Sequence, residues 1–264
     1  KMVWDREENL LAGYKRHAAR LHYRLGADAD GTLRALHCRL HYDTGAYAHL
    51  GGEVMALGME HAAGPYRIPH TLIEGWCLYT NHPVAGAMRG FGVAQVSFAF
   101  ERMMDLLAAR LGRDPLALRL QNALRQGDTN GAGVKMTQTT GIAACLRAIQ
   151  RHPLWRGRKK WISAAGPFKK RGVGLAAVSN AMGYGRGLPD SAIAKIELTK
   201  DGRIRLYSGV SDMGQGNTTA FLQIAGQILR QEETAFEVVQ PDTDRTLPSG
   251  SASASRTTYT YGNA

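Results

Sequence analysis

Twice along this chain a pair of glycines stands directly in front of a stretch whose apolar residues recur at helical spacing. The first pair lies in Arg89-Gly90-Phe91-Gly92, ahead of a helix predicted over 93–111 with Phe100, Met103, Met104, Leu107 and Leu111 on its apolar face. The second lies in Met213-Gly214-Gln215-Gly216, ahead of a helix predicted over 218–230. Glycine permits backbone conformations and close approaches that side chains forbid, and a helix start offers unpaired N–H groups at its positive end. Together these make a site for phosphate or another anionic group. The plainer alternative, for either loop alone, is a tight strand-to-helix turn that holds nothing. Neither loop fits a nucleotide fingerprint. Gly90-Phe91-Gly92-Val93-Ala94-Gln95 lacks the third glycine of GxGxxG, and GxxxxGK followed by Ser or Thr does not occur, which argues against nicotinamide dinucleotides and nucleoside triphosphates. A third loop, 248–258, is dense in serine and threonine. It reads either as a flexible polar linker or as hydroxyl donors around an oxygen-rich ligand.

The remaining pattern places these loops in an α+β fold. Strands over 21–25 and 33–42 flank a turn at Asp28-Ala29-Asp30-Gly31, and a further strand is expected over 72–80. Gly112 suits the end of the first long helix, and Asp114-Pro115 reads as an N-cap with proline at the first helical position of a helix to 124. Another amphipathic helix is expected over 141–152. Arg156, Arg158, Lys159, Lys160, Lys169, Lys170 and Arg171 then crowd into one segment bounded by Pro153 and Pro167, where a domain boundary is expected. Beyond it come a buried strand at 172–181, a hairpin of 192–198 with 203–208, a strand at 236–239 and a loop over 242–258. The expectation is two consecutive two-layer α/β units with mixed or antiparallel sheets, occupying 1–152 and 172–264 about a basic linker at 153–171.

Charge and rarer residues narrow the partners. The formal charge is +11, from 33 basic and 22 acidic residues, which favours an anionic partner: nucleic acid, an acidic subunit or a phosphate-bearing cofactor. Trp155 and Trp161 interleave with the basic segment as in nucleic-acid patches, although a solvated face or a subunit contact is the commoner explanation. Cys38, Cys77 and Cys145 are scattered and form no CxxC, which argues against a disulfide framework and against an iron–sulfur or zinc site carried by this chain. A cytoplasmic setting is expected, with neither a signal peptide nor a membrane-spanning run in view. His37 and His41 share one strand face, where a polar surface is preferred over a metal site because no carboxylate or cysteine joins them at ligand spacing. Met103 and Met104 sit at core spacing.

Taken in order, the loops resemble the molybdenum-binding subunit of the xanthine dehydrogenase and aldehyde oxidase family. The series Gly86-Ala87-Met88-Arg89-Gly90-Phe91-Gly92-Val93-Ala94-Gln95, Glu101, Leu111-Gly112, Asp114-Pro115, Arg119, Asn122 and Gly127-Asp128 is similar to the family's FRGFG(G)xQ…E…LGxDPxxxRxxN…GD. Asp43-Thr44-Gly45-Ala46-Tyr47, Met213-Gly214-Gln215-Gly216 and Ala254-Ser255-Arg256-Thr257-Thr258 also follow the family's order, so the resemblance covers nearly the whole chain.

The resemblance implies a molybdenum cofactor (molybdopterin, as a dinucleotide) and hydroxylation of an aldehyde or N-heterocyclic carbon with oxygen from water. It puts the Arg89 backbone beside the metal, Met213 and Gln215 on the pterin, and Ala254, Ser255 and Thr257 in a third cofactor loop. Phe91 would face a flat small-molecule substrate, with Tyr184 at a second aromatic position of that pocket. No catalytic residue is assigned within the chain: the family's general-base glutamate is expected downstream, and its glycine-phenylalanine loop upstream, as for an internal piece of a longer subunit that is inactive alone. Iron–sulfur clusters of the 2Fe–2S type and FAD are implied only on other domains or subunits, as partners beside the remainder of the molybdenum subunit. Residues 54–59 lack the arginine of purine-binding members, and the 86–89 loop lacks the cysteine of the carbon monoxide branch, so neither substrate is favoured. Two alternatives stand beside this: a basic nucleic-acid-binding module, and a structural domain that kept the fold but lost the site.

Overall fold

A computed structural model describes residues 3–184 and 189–264, and the chain divides into two compact units, Lys1–Asn180 and Ala181–Ala264. In the first, helix α1 (Arg6–Ala12) opens with a capping box between Asp5 and Glu8. Strands β1 (Ala18–Ala27) and β2 (Leu33–Gly45) form the expected hairpin, with Leu21 opposite Leu40 and Tyr23 opposite Cys38. Helix α2 (Gly51–Glu60) then crosses over, so that β3 (His70–Tyr79) lies parallel to β2 in a mixed sheet of order β1-β2-β3. Helix α2 was not anticipated, because its glycines look like turn residues. They serve packing instead: a Cβ on Gly58 would stand 2.3 Å from the Tyr42 hydroxyl, and one on Gly51 would stand 2.5 Å from the Thr44 hydroxyl.

Helices α3 (Val93–Arg110) and α4 (Pro115–Asn122) match expectation closely. Gly112, at φ 62, ends the first, and the Asp114 carboxylate caps the second through the amides of Leu116 and Ala117 at 2.9 and 3.0 Å. The two helices are locked by an ion pair in the core. Arg119, fully buried, donates from Nε to Glu101 at 2.8 Å and from Nη2 to Asp105 at 2.8 Å. Tyr66 donates its hydroxyl to Glu101 at 2.5 Å, and Asn122 binds the hairpin turn through the Gly31 carbonyl at 2.9 Å. Glu101, Asp114, Pro115, Arg119 and Asn122, which carry much of the sequence resemblance, therefore hold the scaffold together.

The expected basic linker is a correction. Helix α5 (Ile142–Arg151) runs into α6 (Pro153–Ser163), and Trp155 is buried in the same core as Leu146, Phe100 and Ala177. Arg158 stacks 3.9 Å over Trp155 and Arg171 stacks 5.0 Å over Trp161, so both aromatics are engaged within the unit. Residues 172–181 form no strand; the segment is pinned by the Ala177 amide, which donates to Glu101 at 2.8 Å. Hence the first unit reaches Asn180, past the boundary expected at 153–171.

In the second unit β4 (Lys195–Leu198) and β5 (Ile204–Tyr207) pair antiparallel around Gly202 at φ 80. Helix α7 (Asn217–Leu229) crosses over to β6 (Phe236–Val239), which lies parallel to β5. Helix α8 (Thr257–Asn263) occupies what was read as the end of a loop; its Tyr261 ring packs on Phe221 of α7 at 4.4 Å. Both units thus follow one plan: hairpin, crossover helix, parallel third strand, helix. By this plan α7 corresponds to α2 and α8 to α3. The two glycine-led entrances are therefore not counterparts, and the partner of the 89–92 loop is the loop before α8.

Candidate functional site

In each unit two loops leave the carboxyl ends of a parallel strand pair, the place where open sheets with crossover helices bind ligands. In the first unit these loops are tied together. The Asp43 carboxylate accepts from the Thr80 hydroxyl at 2.6 Å, from the Gly45 amide at 2.9 Å and from His82. Burial opposes its charge, but these hydrogen bonds outweigh burial and hold the carboxyl below its ordinary range. The following loop carries Arg89, exposed, and Phe91, half-buried against the core cluster that contains Tyr42, Val54 and Val96, at a φ of 45. Gly92 has no freedom to be anything else: its φ is 96, and a Cβ would stand 2.1 Å from the Val54 carbonyl oxygen. Side chains hold the loop at both ends, with Arg16 Nη2 donating to the Arg89 carbonyl at 2.6 Å and the Tyr42 hydroxyl donating to the Gly92 carbonyl at 3.1 Å. Neither Arg16 nor Tyr42 was singled out from sequence, where nothing marks a side chain that acts on a carbonyl so distant along the chain.

The α7 entrance is built differently. Asp212 accepts from the amides of Gly214 at 2.8 Å, Gly216 at 3.3 Å and Thr218 at 3.0 Å. Those amides, of Thr218 and Gly214 first, hold the Asp212 carboxyl below its usual range. Three of the N–H groups at this entrance are thus occupied by the chain's own carboxylate, which narrows the expectation of free amides there to those Asp212 does not reach. Gln215 is likewise turned inward, its Oε1 accepting from the Met213 amide at 2.6 Å, while the Met213 side chain is 71% exposed. Open space surrounds Gly214 and Gly216, where a Cβ would meet nothing within 4 Å.

The loop before α8 gathers the remaining expected residues. Tyr184 Oη lies 2.5 Å from Ser251 Oγ and 2.7 Å from Ser253 Oγ, and the Gly183 amide donates to the Ala254 carbonyl at 2.9 Å. The aromatic residue and the Ala254-Ser255-Thr257 loop are therefore neighbours. The rest of that stretch, Gly185 to Gly187, lies outside the described residues. Ala254 and Ser255 both take positive φ, 55 and 51, a costly arrangement for side-chain-bearing residues. Arg256, 2% exposed, holds them: it pairs with Asp190 and donates to the carbonyls of Ser191 at 2.6 Å and Ser251 at 3.1 Å. Its role was missed, since in sequence it reads as one more basic residue.

Residues 1–123 match one family model of a molybdopterin cofactor-binding domain, and residues 148–264 match a second. The chain belongs to the molybdopterin cofactor-binding domain family. It is 38% identical over 258 residues to a probable xanthine dehydrogenase subunit of Bacillus subtilis, covering 98% of this chain and 34% of that one. It is 36% identical over 171 residues to the nicotinate dehydrogenase large molybdopterin subunit of Eubacterium barkeri, covering 65% and 38% respectively. The fold aligns with the aldehyde oxidoreductase of Desulfovibrio gigas at a TM-score of 0.85 and 31% identity, over 95% of this chain and 28% of that chain. The chain spans about a third of the length of the curated relatives it matches.

The hydroxyls of Ser251 and Ser253 beside Tyr184 and the uncovered faces of Gly214 and Gly216 on the second unit are compatible with a pterin-bearing ligand. Other chemistry is weakly provided. Burial pushes the Cys38 thiol up to about 12, leaving a packed neutral thiol. His37 bonds to Glu74 at 2.8 Å and His41 stacks on Trp76 at 4.8 Å, and among the described residues no group of His, Cys, Asp or Glu is arranged to hold a metal. Nor, among them, is any helix long and apolar enough to cross a membrane.

Proposed function

We propose that this chain is the cofactor-gripping part of a molybdenum hydroxylase acting on an aldehyde or N-heterocyclic carbon, with water as the oxygen source. The match of two molybdopterin-binding families across nearly the whole chain carries this proposal. Relatives named for xanthine, nicotinate and aldehydes support the substrate class. When bound, the cofactor takes two electrons from the substrate carbon. The chain's own task is to hold and orient. Arg89 would offer its backbone beside the metal, Met213 and Gln215 would contact the pterin, and Ala254, Ser255 and Thr257 would supply the third cofactor loop. Phe91 and Tyr184 would each present an aromatic face to the substrate. Tyr184 can do so while its hydroxyl is fixed by Ser251 and Ser253, which sets the ring plane. A general-base glutamate, 2Fe–2S clusters and FAD are assigned to the remainder of the subunit and to partner domains or subunits, in a cytoplasmic enzyme.

The test is to purify the complete subunit from a molybdate-fed host, then measure molybdenum and the reduction of a dye with an aldehyde or nicotinate as donor. Stoichiometric metal and turnover are expected. A folded subunit lacking both molybdenum and pterin would overturn the proposal.

A further inference from the structure

Beside the 89–92 loop lies a group of buried polar atoms that no role above explains. Residues Lys15 to His17 run alongside the loop as a strap: the Lys15 amide donates to Val84 at 3.3 Å and the Gly86 amide to Lys15 at 2.9 Å. Arg16 grips the Arg89 carbonyl, and Gln95, in the first turn of α3, donates its side-chain Nε2 to the His17 carbonyl at 3.0 Å. The His17 imidazole is 2% exposed, yet neither Nδ1 nor Nε2 has a hydrogen-bond partner among the described residues, and the buried Gln95 Oε1 has none either. Folded proteins pair the great majority of such atoms. Three of the four unpaired side-chain atoms of this kind among the described residues, His41 Nδ1 being the other, lie on His17 and on Gln95, whose side-chain amide bonds the His17 carbonyl.

We propose that His17 and Gln95 enclose an ordered water and, through it, position the Arg89–Gly92 loop, which makes His17 a positioning residue. A water gives Gln95 Oε1 the donor it lacks and gives the imidazole its partner, and it supplies the two or more polar contacts that buried waters ordinarily make. The surroundings favour a neutral ring. Burial and then His49 oppose protonation, while Asp43 and the Gly86 backbone favour it without forming a hydrogen bond of normal geometry. Asp43 is already engaged by Thr80, His82 and the Gly45 amide. Tyr42 presents a ring 6.4 Å away in edge contact, and His49 is itself packed on Tyr14 at 5.3 Å. That the positioned loop serves a cofactor rests on the function proposed above; the buried group itself does not.

The experiment separates the two. In protein labelled with 15N-histidine, His17 should appear at neutral pH as a single neutral tautomer whose ring N–H shows a cross-peak to water, its titration displaced below the ordinary histidine value. Averaged tautomers, a charged ring at neutral pH or no water cross-peak would overturn the proposal. Hydrogen exchange then tests the positioning. H17L should speed exchange of the Gly90–Gln95 amides about tenfold or more while α5 and α6 are unaffected, and H17Q, which keeps a hydrogen-bonding side chain, should restore much of the protection. Equal exchange in the two variants would overturn it. Should H17L fail to fold, Q95L gives the same readout. If exchange responds while the molybdenum content of the complete enzyme stays unchanged, the positioning stands and the cofactor assignment fails.

Discussion

The entrances to α3 and α7 look alike in sequence and differ in physics. At α3 the glycine is required by volume, since at Gly92 even a methyl group would overlap the Val54 carbonyl oxygen of α2. At α7 the glycines stand in open space and are required only by their dihedral angles, φ 97 at Gly214 and 88 at Gly216. The free ends are treated differently too. Arginine and tyrosine hydrogen bonds fix the carbonyls of the first loop, whereas three amides of the second are taken by Asp212. One glycine pattern can therefore mark a tight helix–helix approach or an exposed, self-capped turn, and neither requires an anion.

That contrast can be broken by substitution. The largest effect is expected for G92A, which adds a positive-φ penalty to a backbone overlap: a loss of about 4 kcal/mol or more, or no folded protein, in urea denaturation. Next comes the contrast between the buried arginines. R119M strands the buried Glu101 carboxylate and should cost about 3–5 kcal/mol by the same measurement. R256M should cost less, about 1–3 kcal/mol, because the Asp190 side chain it leaves behind is 29% exposed and can hydrate. G214A meets no neighbour and should lose only about 1–2 kcal/mol; a loss as large as that of G92A would refute the distinction between the two entrances.

The smallest effect is a pH dependence. The Asp212 carboxyl sits lower in the folded chain than its ordinary 3.8, so its stabilisation is complete above that value and fades as pH falls through the folded one. D212N keeps an acceptor oxygen but cannot titrate. Its thermal midpoint should be slightly below that of the unmodified protein near neutrality, with the gap closing below about pH 4.

Much of the first unit was legible because its cues are local. Asp114-Pro115 caps a helix wherever it occurs, and the apolar spacing over 93–111 admits one structure. Helix α2 was missed because glycines that serve tight packing are indistinguishable in sequence from glycines that serve turns. The linker at 153–171 was misjudged for a related reason: charge density around Trp155 suggested solvent, while the tryptophan itself is buried beside Leu146. In the candidate site, Tyr184 and the Ala254–Ser255 pair could be named from motif order. Arg256 and Arg16 could not, since their importance lies in carbonyls that only folding brings within reach.

By itself the sequence determined the two hairpins, the starts of α3, α4, α5 and α7 and membership of a molybdopterin-binding family, all of which depend on short-range periodicity and ordered motifs. The tertiary structure decided which backbone groups remain available at those helix starts, which glycines are held by volume and which by conformation, and which cations are structural. Those outcomes depend on contacts between segments tens of residues apart, and a hydrogen bond or an overlap of a few tenths of an ångström carries no trace in local spacing.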